Sequence, residues 1–161
     1  MGVVSLRKNR KCLLACLAVP LAVGGLSAFF TRDGMEKFKD LDKPPLTPPG
    51  WLFPVVWTIL FLLMGIASYL VWKNGRPRQA VRWALTLYGV QLGFNFLWSM
   101  LFFNMGLYLA AFFELIALWL LILLTALQFY RLSRAAGYLL APYLLWVAFA
   151  GYLNLGVYFL N

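Results

Sequence analysis

Histidine is absent from this 161-residue chain. That removes the commonest general base and the commonest side-chain ligand for a metal or a haem iron. Charge is scarce as well. Charged residues make up 12% of the chain, where a soluble domain carries about 25%. Only 5 acidic residues stand against 14 Lys and Arg. The sequence holds no paired carboxylates, no nucleophile–base triad and no phosphate-cradling glycine loop, so no metal and no cofactor is expected. Cysteine is limited to Cys12 and Cys16. Four residues apart on one helix face, they read as small apolar fillers, because a disulfide between them would strain the helix.

What fills the space instead is apolar. The chain is 63% hydrophobic, which marks a membrane protein with the lipid bilayer as its main partner. The net charge of +9 is carried by short basic clusters between apolar runs. That arrangement orients spans in a bilayer; with no nucleic-acid-binding motif present, no nucleic-acid partner is expected.

A span needs about 20 mostly apolar residues. The first run covers residues 12–30 behind the basic "RKNRK". It exceeds the roughly 7–15 residues of a signal-peptide core, and no convincing cleavage site follows, so it is expected to be a helix kinked at Pro20. The start "MGVVSL" lacks the Ser or Thr of a myristoylation site. Residues 31–50 then read as a polar loop. Further helices are expected at about 51–72, 83–103, 106–130 and 135–160, the third and fourth parted at "FFNMG", where Asn104 and Gly106 break the pattern. The expectation is an all-α membrane protein: a five-transmembrane-helix bundle in a single domain, 1–161. Basic residues before the first span, between Lys73 and Arg82, and at Arg131 and Arg134 put the N-terminus on the cytoplasmic side and the loop 31–50 outside.

Polar residues deep in the spans are the informative ones, since lipid offers them no partners. Gln91, Asn95 and Ser99 recur every four residues on the third span, with Trp98 on the same side. On the last span Trp146, Ala150 and Asn154 share a face with Tyr143 and Val147. The second span sets Phe53, Trp57 and Phe61 in line. Trp51, Trp72 and Trp83 lie at span ends, where an interfacial belt accounts for them; Trp119 reads as packing. Trp57, Trp98 and Trp146 lie deeper, and large rings beside Gln91 and Asn95 suit a cavity for a flat apolar ligand. Hydrogen bonding between helices is the simpler reading of either amide alone. Glu114, about two turns into the fourth span, is either functional, paired within the bundle, or placed near headgroups. Gly89 and Gly93 form a GxxxG on a different side from Asn95 and Trp98, which favours a homodimer seam.

The segment "KPPLTPPGWLFPVVWTILFLLMGIASYLVW" resembles the signature of the translocator protein family, also called tryptophan-rich sensory proteins or TspO/MBR. The likeness continues through "GGLSAFFTRDGMEKF", "FNFLWSMLFF", "ELIALWLLILLTALQFYRLS" and "LLAPYLLWVAFAGYLN". It implies a five-helix bundle, usually a homodimer, that binds porphyrins such as protoporphyrin IX and isoquinoline or benzodiazepine-type ligands among its helices, under a lid formed by the loop after the first helix. By motif it carries the pocket to Trp57 in "FPVVW", Asn95 in "FNFLW" and Trp146 and Ala150 in "PYLLWVAFA", with Trp51 of "PPGW" at the mouth. Joined to the faces read above, the expected ligand-binding set is Trp51, Phe53, Trp57, Gln91, Asn95, Trp98, Tyr143, Trp146, Ala150 and Asn154. Leu46 stands where the family often has Trp, which leaves the lid one aromatic fewer. Tyr158 is not followed by the basic residue associated with cholesterol in animal relatives, so a sterol partner has little support.

The resemblance and the faces together point to a membrane receptor or carrier for tetrapyrroles, with metal-free porphyrin favoured because haem iron would find no histidine. A porphyrin-degrading enzyme using Trp57 and Trp146 in light- and oxygen-dependent chemistry ranks second, since no catalytic base is identifiable. A ligand-modulated sensory scaffold ranks third. The charge bias suggests a bacterial cell membrane. The run of prolines from Pro44 to Pro54 stiffens the lid and lowers the entropy lost when it closes over a guest.

Overall fold

A computed structural model describes residues 2–74 and 77–161, with side chains from residue 9 onward. Gly75 and Arg76 of the basic loop, and the side chains of Arg7 and Lys8, lie outside the described residues.

The described chain forms helices α1 (Gly2–Lys39), α2 (Leu52–Lys73) and α3 (Arg78–Ser99), a π-helical turn (Met100–Asn104), α4 (Tyr108–Leu132), a short α5 (Arg134–Leu139) and α6 (Ala141–Leu160). Five segments are long and apolar enough to cross a bilayer, the last being α5 and α6 together, Arg134–Leu160. The break between these two falls at Leu140, just before Pro142 in the first turn of α6, where a missing N–H costs nothing. The π turn ends at Asn104, and Gly106 takes a φ of +62°. This is the reversal expected at "FFNMG", and it uses the left-handed backbone that glycine adopts without penalty.

The first helix differs from the expectation. It does not stop at residue 30 but continues to Lys39, and the connecting loop is confined to residues 40–51. Residues 31–39 are polar and leave the apolar stretch, yet they contain no helix breaker. Gly34 does not break the turn because its bare Cα face receives the main chain of Phe103. Thr31 returns its hydroxyl to the Ser27 carbonyl at 2.7 Å. The helix ends at Lys39, a few residues before the first proline of the loop, Pro44. Pro20 sits inside α1, which is helical on both sides of it.

Lipid tails are as apolar as leucine, so helices in a bilayer associate through close packing and hydrogen bonds. Glycine supplies the close packing here. α1 meets α2 where Gly24 faces the Phe61 ring and where Gly65 faces Leu17, its bare Cα so close that an added methyl would lie 2.8 Å from the Leu17 Cα. α4 meets α6 at Gly151 against Leu115, and α5 folds onto α4 at Gly137 against Tyr130. Gly89 and Gly93 lie on the outer surface of α3 with open space before them.

The loop 40–51 is tied down along the C-terminal half of α6. Pro44 is buried against Gly156. The Tyr152 hydroxyl donates to the Pro45 carbonyl at 2.8 Å. Asn161 and Asp42 exchange two bonds: Asp42 N–H to Asn161 Oδ1 at 3.1 Å and Asn161 Nδ2 to the Asp42 carbonyl at 3.0 Å. Leu46 is held at a φ of 69°, a left-handed conformation that costs an ordinary residue about 1–2 kcal/mol. The anchors at Asp42, Pro44 and Pro45, immediately before it, sustain that strain.

Candidate functional site

The polar residues of α3 reach α6, and α2 closes on them with rings. Gln91 and Asn95, one turn apart on α3, are both buried, as is Tyr143 of α6. The Tyr143 hydroxyl donates to Gln91 Oε1 at 2.9 Å and accepts from Asn95 Nδ2 at 3.0 Å. One phenol therefore partners both amides, in a setting where an unmade hydrogen bond costs about 1–3 kcal/mol. Gln91 Nε2 finds only the Met64 sulfur, at 3.9 Å, and a thioether is a weak acceptor. That N–H is the group in the cluster most open to a better partner.

Trp57 stands against this cluster, edge-on to Tyr143 with ring centroids 6.1 Å apart and stacked on Phe61 at 5.5 Å. A turn nearer the mouth, Phe53 meets Trp146 edge-to-face at 5.9 Å. Such pairs contribute about 0.5–1.5 kcal/mol each beyond the area they bury. Trp146 lines a cavity of about 380 Å³ with Val56, Leu60, Leu63, Pro142 and Phe149. Its indole Nε1 is buried and has no hydrogen-bond partner among the described residues. Ala150 is buried one turn further along α6. Trp51 is 67% exposed at the mouth.

The expected set thus divides. Trp57, Gln91, Asn95 and Tyr143 are joined by direct contacts, and Phe53 and Trp146 form a separate ring pair toward the mouth. Trp98 and Asn154 belong to a second cluster nearer the loop end: Trp98 Nε1 donates to Asn154 Oδ1 at 3.1 Å, Asn154 Nδ2 donates to the Tyr108 carbonyl at 2.7 Å, and the indole stacks on Phe102 at 5.3 Å. Close by, Gly34, Phe38, Phe103 and Tyr108 line a smaller cavity of about 220 Å³. The rings and amides do not enclose one common chamber in this conformation. Tyr143 occupies the space between the amides, and the larger cavity opens beside Trp146.

Trp119 donates to the Leu144 carbonyl at 3.1 Å, in keeping with its reading as packing. Glu114 has both carboxylate oxygens buried and no hydrogen-bond partner among the described residues, and nothing in the structure explains its presence. Sequence reasoning missed Tyr152 and Asn161, which hold the loop, because their partners are main-chain groups that carry no side-chain signature.

Comparison with known proteins follows the same outline. The TspO/MBR family model matches residues 16–160. Tryptophan-rich protein TspO of Chlorobaculum tepidum is 41% identical over 157 residues, 97% of this chain and 99% of that protein. The translocator protein of Bos taurus is 38% identical over 139 residues, 84% of this chain and 82% of its own length. Protein CrtK of Rhodobacter capsulatus is 34% identical over 149 residues, 92% of each chain.

The second cluster generates a test. Trp98→Phe keeps a ring on Phe102 but deletes the bond to Asn154. Denaturant unfolding in detergent should show a loss of about 0.5–1.5 kcal/mol. An unchanged midpoint would remove the Trp98–Asn154 bond from the account of stability.

Proposed function

The chain belongs to the TspO/MBR family, and we propose that this multi-pass membrane protein is a receptor or carrier for tetrapyrroles such as protoporphyrin IX and for isoquinoline or benzodiazepine-type ligands. The observation that carries this reading is the Tyr143 hydroxyl held between Gln91 and Asn95 beside the Trp57 ring. A flat macrocycle offers faces for Trp57 and Trp146 and ring nitrogens for the amides. Gln91 Nε2 would exchange a weak sulfur contact for a nitrogen acceptor, and the buried Trp146 N–H would gain a partner. Each exchange strengthens the complex relative to the empty protein, because the group it satisfies is underused beforehand. Metal-free porphyrin is the favoured guest, since the chain has no histidine for a haem iron.

Titration of protoporphyrin IX in detergent, in darkness, tests the site. Wild-type protein should show saturable tryptophan quenching without loss of pigment. Trp57→Phe, Asn95→Ala and Trp146→Phe should each weaken binding about tenfold, the equivalent of 1.4 kcal/mol. Unchanged affinity in all of them removes the site. The same titration under illumination tests the enzymatic alternative: bleaching of the pigment that disappears in Trp57→Phe would replace the receptor reading with degradation.

The reading includes a homodimer through α3 and a cytoplasmic N-terminus in a bacterial cell membrane. Gly89 and Gly93 support the first, as exposed small residues that permit close helix approach; the distribution of Lys and Arg supports the second. With Gly89→Leu and Gly93→Leu combined, light scattering in detergent should move from dimer to monomer while the melting temperature stays within about 2 °C. A wild type that is already monomeric, or a double variant that remains dimeric, rejects this seam.

A further inference from the structure

The seams between helices are not closed in the same way. The α1–α2, α4–α5 and α4–α6 contacts each contain a glycine at which the neighbouring helix or its side chain lies close against the Cα. α2 also packs on α5, yet α2 and α6 scarcely approach each other by backbone. Side chains alone cross that gap: Phe53 to Trp146 and Trp57 to Tyr143. No hydrogen bond between the two helices appears among those of the described residues. The cavity of about 380 Å³ lies in this gap, walled by Val56, Ile59, Leu60 and Leu63 of α2 and by Pro142, Leu145, Trp146 and Phe149 of α6. Its mouth faces outward, with Ile59 52% and Leu145 74% exposed on opposite walls. On a membrane-spanning surface, outward means into lipid.

The route through the loop is held differently. Reaching the rings from that side requires release of the Tyr152–Pro45 bond, the paired Asp42–Asn161 bonds and the packing of Pro44 on Gly156. Opening the α2–α6 gap breaks no hydrogen bond between these helices among the described residues; apolar and ring contacts part. The Trp146 indole gives up no hydrogen bond when it swings, because its Nε1 has none.

We propose that the α2–α6 gap is a side portal through which an apolar guest dissolved in the bilayer passes to the Tyr143 cluster, with the Trp146 ring as its moving leaf. The portal rests on the ligand-binding reading above for the identity of the guest. Its geometry alone predicts that lipid chains enter it. The anchored loop then acts as a fixed end wall, and its prolines serve to keep it shut.

The experiment uses full-length protein in lipid vesicles, in a background of Cys12→Ser and Cys16→Ser. Ile59→Cys and Leu145→Cys are joined across the gap by a bifunctional thiol reagent. A control joins Pro45→Cys to Tyr152→Cys at the loop. Vesicles carry a lipid with a photoactivatable diazirine on its acyl chain, and labelled sites are mapped by mass spectrometry. Before linking, Leu60 and Trp146, which line the inner gap, should be labelled; linking the gap should abolish that labelling, and linking the loop should leave it. The association rate of protoporphyrin IX should fall about tenfold with the gap joined and remain unchanged with the loop joined. Porphyrin bound before the gap is joined should dissociate correspondingly more slowly. Absence of label at Leu60 and Trp146, or slowing by the loop link alone, overturns the portal. If no preparation binds porphyrin while the inner gap is labelled and protected as described, the ligand-binding reading fails and the lipid-accessible portal stands.

Discussion

One phenol organises the interior. Gln91 and Asn95 cannot be left unpaired in a bundle surrounded by lipid, and the Tyr143 hydroxyl serves both, donating to one and accepting from the other. The two bonds fix the rotation of α6 relative to α3. That rotation turns Trp146 toward α2 and Asn154 toward Trp98 and the Tyr108 carbonyl. Trp57 then has a flat partner to meet edge-on. A polar pair that needs satisfaction and a ring that supplies it thus define both a fold contact and a place where a guest can compete.

The same arrangement separates rigid from yielding parts. Close packing at glycine makes α1–α2 and α4–α6 continuous surfaces, where any separation loses dispersion contacts along a helix. The α2–α6 gap relies on ring contacts, which are individually weak and tolerate sliding. The loop 40–51 belongs with the rigid parts, although its position invites the reading of a lid. Its strained Leu46 follows directly on the bonds that Tyr152 and Asn161 make to Pro45 and Asp42.

Hydropathy made the five spans and the reversal at Gly106 readable before any coordinates, because the bilayer imposes length and polarity on every helix that crosses it. It misplaced the end of α1, since the loss of apolar character marks the edge of the membrane and says nothing about where a helix stops. Helical spacing placed Gln91, Asn95 and Trp98 on one face of α3. It did not reveal that Asn95 pairs with Tyr143 while Trp98 pairs with Asn154, which depends on the register between α3 and α6. Nor did it anticipate that Tyr143 would fill the space between the amides. The residues that anchor the loop were invisible for the same reason: their partners are carbonyls brought close by tertiary packing.

The central claim is that a guest binds at the Tyr143 cluster and takes up the underused N–H groups of Gln91 and Trp146. Side-chain amide and indole N–H resonances, assigned with single substitutions and followed during addition of protoporphyrin IX, test it directly. The account predicts that the signals of Gln91, Asn95, Trp57 and Trp146 move together and saturate, while those of Trp98 and Asn154 stay in place. Movement of Trp98 and Asn154 with the Gln91 and Asn95 signals unchanged would contradict it.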